Sequence, residues 1–156
     1  MKSKRSLLTA AMLWFTATAV SFAASAHMGT WKLDESKSKL APGGGKNTSV
    51  TYTQAKDDKV MLKVDGVDKD GKPVHWTWVG RFDGKPYKIT GASDVDSMAM
   101  KMVNDHVNEL TSMKDGKVLI TGTVTVAKDG KSRVVKTTMT DASGKKHTDK
   151  AYYTKE

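Results

Sequence analysis

The 156-residue chain contains no cysteine, so it has no disulfide framework, no thiolate metal centre and no cysteine nucleophile, and its stability must come from buried apolar area alone. It has no Gly-x-Ser-x-Gly elbow, no phosphate-binding glycine loop and no spaced carboxylate pair on an apolar face. Without these, hydrolase, nucleotide and acid–base chemistry lack a carrier, and the chain is expected not to be an enzyme and to need no cofactor. The four histidines include no His-x-x-x-His pair, and the Asp-Gly repeats lack the acidic density and terminal glutamate of a calcium loop. Helical periodicity is nearly absent, and no apolar run follows residue 24.

That last run has a meaning of its own. Met1-Lys2-Ser3-Lys4-Arg5 is basic and free of acid, Leu7 to Ala24 is apolar, and Ala24-Ser25-Ala26 supplies small residues before a cut after Ala26. This is the pattern of a cleaved secretory signal, residues 1–26, rather than a membrane span, because Thr9, Thr16, Thr18 and Ser21 weaken the core and no stop-transfer charges follow. The mature chain, residues 27–156, is then a single domain, periplasmic or secreted in a bacterium, without stable membrane insertion. The formal net charge is +9, with three basic residues in the first five positions. Elsewhere the lysines flank turns or alternate with apolar residues, which reads as a solvated surface guarding strand edges and not as a nucleic-acid site.

What is present is a hairpin code. Asp70-Gly71-Lys72, Asp83-Gly84-Lys85, Asp115-Gly116-Lys117 and Asp129-Gly130-Lys131, with Ser143-Gly144-Lys145 as a near copy, separate stretches of period two. Asp-Gly supplies the positive-φ positions of a tight hairpin or its bulge. Apolar residues alternate at Trp31/Leu33, Val50/Tyr52, Val60/Leu62/Val64, Val74/Trp76/Trp78, Met98/Met100/Met102 and Val118/Ile120/Val124/Val126. In the segment from His106 to Met113 the phase is ambiguous, with Val107 and Met113 on one side and Leu110 on the other. About ten short strands with one dry face each, and no helix to cover them, predict an all-β, up-and-down antiparallel meander closed into a barrel of eight to ten strands. Barrels of this size enclose more volume than side chains alone fill.

Gly29-Thr30-Trp31-Lys32-Leu33 and the closing Ala151-Tyr152-Tyr153-Thr154-Lys155-Glu156 resemble the two ends of the calycin barrels, the lipocalins and fatty-acid-binding proteins. Over residues 29–156 the chain also resembles a group of uncharacterised exported bacterial proteins with lipocalin-like domains. These carry a similar GTWKL, a PG-rich connector, and the DGKPVH and FDGK segments found here at Asp70 to His75 and Phe82 to Lys85. The resemblance implies the barrel; a small hydrophobic or amphipathic ligand, bound without being transformed, is expected from the fold and from the surplus of aromatics and methionines facing one interior. Fatty-acid-binding proteins hold a carboxylate with Arg-x-Tyr on the final strand, but aligning their tyrosine on Tyr153 puts Ala151 at the arginine, so that clamp is not expected. The connector 34–48 is too short for their helical lid, and the lipocalin disulfides and C-terminal helix have no counterpart.

The expected cavity lining is Trp31, Tyr52, Leu62, Trp76, Trp78, Met98, Met100, Met102, Ile120 and Tyr153, with Val124 also inward. An alternative is soft-metal binding: thioethers at Met98, Met100 and Met102 suit Cu(I) or Ag(I), and His27 at the new N-terminus can chelate Cu(II) through imidazole and amine. His75 is expected in solvent because Trp76 and Trp78 point inward. Arg133, His147, Asp149 and Tyr153 share a face that would form a polar cavity patch if it points into the barrel, the favoured reading being rim and surface residues; His106 and His147 are also read as surface residues. A third class is a structural or protein-interaction module.

Overall fold

The computed structural model describes residues 25–141 and 143–156; all but the last two residues of the expected signal segment lie outside them. Ten strands follow one another along the chain: β1 (Gly29–Leu33), β2 (Lys46–Gln54), β3 (Val60–Val67), β4 (Pro73–Gly80), β5 (Asp83–Thr90), β6 (Ser97–Asn104), β7 (Val107–Lys114), β8 (Lys117–Val126), β9 (Ser132–Thr140) and β10 (Lys146–Lys155). Each pairs antiparallel with its sequence neighbours, and β1 closes the circle on β10 through Trp31↔Lys155 and Leu33↔Tyr153. The fold is thus an up-and-down ten-strand barrel compatible with the calycin type. Closure removes both sheet edges and turns every dry face to one interior.

Turn chemistry fixes the register. In the β7–β8 hairpin Asp115 and Gly116 have φ of 50° and 75°, both left-handed as a two-residue turn matched to strand twist requires. Asp83-Gly84-Lys85 departs from the hairpin reading. It lies inside β5, where the pairing with β6 shifts between Asp83 and Pro86 and Gly84 has φ 79°; the chain reverses one step earlier, at Arg81-Phe82. Gly84 here makes a bulge instead of a turn, the other use of a positive-φ glycine.

The inner face carries Val50 and Tyr52 of β2, Val60, Leu62 and Val64 of β3, Trp78 of β4, Met98 and Met100 of β6, Val124 and Val126 of β8, and Tyr153 of β10, all buried. Trp78, stacked at 6.4 Å on Phe82 and edge-on at 5.8 Å to Tyr87, is the centre of an aromatic cluster. Gly80 has no room for a side chain, since a Cβ there would fall 2.5 Å from Trp78 and 2.6 Å from Tyr87. In β7 the phase resolves toward Leu110: Asn108 and Ser112 are buried beside it, and Val107 and Met113 point outward. The outer face is lysine and threonine, including Thr121, Thr125, Lys136, Thr148 and Lys150. His75 is on that face, exposed and paired with Asp65 across β3–β4.

The barrel has two unlike ends. Its floor holds the start of β1 and the turns at 55–59, 81–82, 105–106 and 127–131; its mouth holds the connector 34–45, with a 3-10 turn at Glu35–Lys37, and the remaining turns. Across the mouth, Asp149 accepts a hydrogen bond from Ala41 N at 2.6 Å, and Lys39 pairs with Lys150, so the connector is stitched to β10.

Candidate ligand chamber

Strand alternation delivers apolar side chains from eight strands to one inner chamber of about 70 Å³. Of the residues expected to line it, Tyr52, Leu62, Trp76, Met98, Met100 and Tyr153 do so, joined by Leu110, Val124 and Val135. A second chamber of about 190 Å³ lies at the mouth, where Leu33, Leu40, Ile120 and Asp149 contribute to its wall. Asn47, Val135 and Tyr153 belong to both walls. The two spaces therefore adjoin, sharing part of their wall between the mouth and the interior. The Tyr153 hydroxyl donates to the Asn47 carbonyl at 3.0 Å across this junction, and burial pushes its pKa up to about 12, so it remains a donor at every physiological pH.

Trp31, Trp78 and Met102 are not part of either wall. Both indoles are fully buried with satisfied N–H groups: Trp31 Nε1 donates to His27 O and Trp78 Nε1 to Met98 O, each at 2.8 Å. They act as packed posts of the barrel. Met98 and Met100 are buried and Met102 half-buried, all on the inner face of β6.

Arg133 overturns the surface reading of its face. It is 2% exposed, because β9 pairs it with Tyr153 and thereby places it on the inner side. Its guanidinium carbon lies 4.8 Å from the Trp31 ring centre, 5.1 Å from Tyr52 and 4.8 Å from Tyr153. Arg133 Nε and Nη1 have no hydrogen-bond partner, and no ion pair reaches it among the described residues. Cation–π contacts offset part of the lost hydration, roughly 0.5–2 kcal/mol each. Each buried N–H without an acceptor still costs on the order of 1–3 kcal/mol.

Below the inner chamber the floor is polar and sealed. His27 is 0% exposed, its ring 6.4 Å from Tyr52 and 6.3 Å from Phe82, with neither ring nitrogen bonded. Burial first, then the charge of Arg133 and further repulsion from His106 and Lys155, lowers its pKa to about 4, so the ring is neutral at pH 7. Asn108 is equally buried with both amide atoms unpartnered, and His106 Nδ1 is also orphaned. His147 and Asp149 are half-buried at the mouth, where His147 is bound to Asp141. Among the described residues no three His, Cys, Asp or Glu side chains gather as a metal site.

No protein-family model and no curated protein sequence matches this chain. Its chemistry therefore has to be read from the chamber itself. Arg133 is one of three arginines in a chain that otherwise uses lysine, and arginine is the cation better suited to a weakly hydrated, stacked site, although that choice of residue does not by itself say which way the side chain faces.

Proposed function

We propose that this chain is an exported bacterial carrier of lipocalin-like build, whose barrel takes up a small hydrophobic or amphipathic molecule from the mouth without transforming it. The observation that carries this is a pair of adjoining recesses, one inside the barrel and one at its mouth, that share Asn47, Val135 and Tyr153 in mainly apolar walls. Apolar recesses with few polar groups are what ligand sites are made of. The lysine- and threonine-rich outer face supports a barrel working in water, since a lipid-facing barrel needs an apolar outer band.

Extraction of the natively purified protein followed by mass spectrometry should recover a small hydrophobic or amphipathic molecule, and a neutral apolar fluorophore should displace it at one site per barrel. A protein that neither retains a molecule nor binds the fluorophore is a filled structural or interaction module.

A second reading rests on the three thioethers of β6. Cu(I) held there would involve Met98, Met100 and Met102, with His27 outside the set because its buried ring packs against Tyr52 and Phe82. Met98 and Met100 line the same inner chamber as Arg133, and a second cation near its charge is repelled in a medium that screens poorly. Weak Cu(I) binding that is unchanged in Met100→Leu and Met102→Leu is the expected result; loss of tight binding in those variants would establish the copper reading.

A further inference from the structure

We propose that the outer wall of β8, β9 and β10 is a docking surface for an acidic polysaccharide, held by Lys39, Lys136 and Lys150. These lysines are far apart along the chain, and the register brings them into one line. Lys136 lies directly opposite Lys150, and Lys150 in turn pairs with Lys39 of the connector, so three lysine side chains leave neighbouring strands ~5 Å apart on the solvent side. All three are exposed, and none is in an ion pair among the described residues. Like charges opposed in this way destabilise a sheet, and nothing on the wall offsets them.

The wall is free of acid. Asp149 is the one acidic residue of β8, β9 and β10, and its side chain is turned to the mouth, where it accepts from Ala41 N at 2.6 Å. The acids of the two flanking segments are already engaged: Asp34 lies 3.1 Å from Lys37, Glu35 2.6 Å from Lys46, and Glu109 of β7 stands directly opposite Lys101. The missing negative charge has to come from a partner. Shape then chooses among polyanions, because ten strands complete the barrel and each step round it turns the outer surface by about 36°. A flat bilayer meets such a wall along one line, whereas a polysaccharide chain can follow the curve through all three lysines. Single-stranded nucleic acid is held by stacking its bases on aromatic faces, and the one aromatic on this wall, Tyr152, already has Lys37 over its ring at 5.7 Å. Sugars take hydroxyl partners instead, and Thr123, Thr138 and Thr148 border the lysine row. The wall faces away from both recesses, so the proposal neither rests on the carrier reading nor falls with it.

The test measures binding of the whole protein to polygalacturonate, neutral dextran, an oligothymidylate and phosphatidylglycerol vesicles. Polygalacturonate should bind most tightly of the four and weaken steadily as salt is raised. Combining Lys39→Gln, Lys136→Gln and Lys150→Gln should weaken it on the order of 10-fold, as the loss of three exposed ion contacts would, without lowering the urea midpoint, since opposed like charges are removed. Lys63→Gln, Lys88→Gln and Lys101→Gln together take the same charge from exposed positions on β3, β5 and β6, and should leave the affinity within about 2-fold of the wild type. Equal weakening by the two sets makes the attraction one of net charge and overturns the docking wall, as does failure of polygalacturonate to bind. Dextran, oligothymidylate or vesicles bound as tightly as polygalacturonate overturn the acidic polysaccharide as the partner.

Discussion

Trp78→Ala is expected to lower the free energy of unfolding by about 3–5 kcal/mol, the usual cost of emptying a large aromatic site in a core. Trp78 is fully buried, it stacks on Phe82 and meets Tyr87 edge-on, and Gly80 is shaped to admit it. The substitution also strips the Met98 carbonyl of its indole donor. With no disulfide to limit the unfolded chain, a domain holding roughly 5–15 kcal/mol in total would be left marginal. Trp76→Ala is the internal comparison: Trp76 is half-buried and already faces the inner chamber, so its removal enlarges an existing space and should cost clearly less. Urea unfolding of both variants, with equal m-values confirming a common unfolded state, separates the post from the wall. Equal losses would mean that the inner chamber is not open.

The barrel was legible because period two is a local property that barrel closure preserves. Lys63 or His75 in solvent and Leu62 or Trp78 inside follow from counting along one strand, and the turns at Asp70, Asp115 and Asp129 say where the count restarts. Three features were out of reach for physical reasons. Asp83-Gly84-Lys85 is chemically identical to its sister triplets, and whether a positive-φ glycine makes a turn or a bulge is decided by the neighbouring strand, here β6. The β7 phase failed because its inner residues include Asn108 and Ser112, which look like surface positions when read alone. For Arg133 the inward patch is the lesser reading by the same logic: a charge on a threonine-rich strand belongs in water unless something inside receives it. Its inward position follows only from the β9–β10 register and from three aromatic rings contributed by β1, β2 and β10. Such convergence across the closing seam leaves no periodic trace. The two places where sequence logic broke, the polar floor and the buried guanidinium, adjoin the candidate ligand chamber, as expected when local rules are violated for function.

His27 gives the second large expected effect, a loss of stability between pH 6.5 and 4. Its pKa is 6.5 when unfolded and about 4 in the barrel, so across that window the unfolded chain binds the proton and the folded chain does not. Stability rises with pH wherever the unfolded state binds more protons. The contribution is therefore complete above pH 6.5 and declines as pH falls toward 4, by about 3 kcal/mol at the bottom of the window, using 1.36 kcal/mol for each unit. Asp34, Asp83, Asp96 and Asp141 all have pKa values lowered below 3.8 by hydrogen bonds, chiefly from nearby side chains or backbone N–H groups. Their contributions are lost only below about pH 4 and so fall outside the histidine window. His27→Phe fills the same place against Tyr52 and Phe82 with a ring that has no nitrogen to satisfy or charge. Urea midpoints measured from pH 7 to pH 4 should fall steadily in the wild type and stay nearly level in His27→Phe. The same slope in both proteins would place the titrating group elsewhere than in the floor of the barrel.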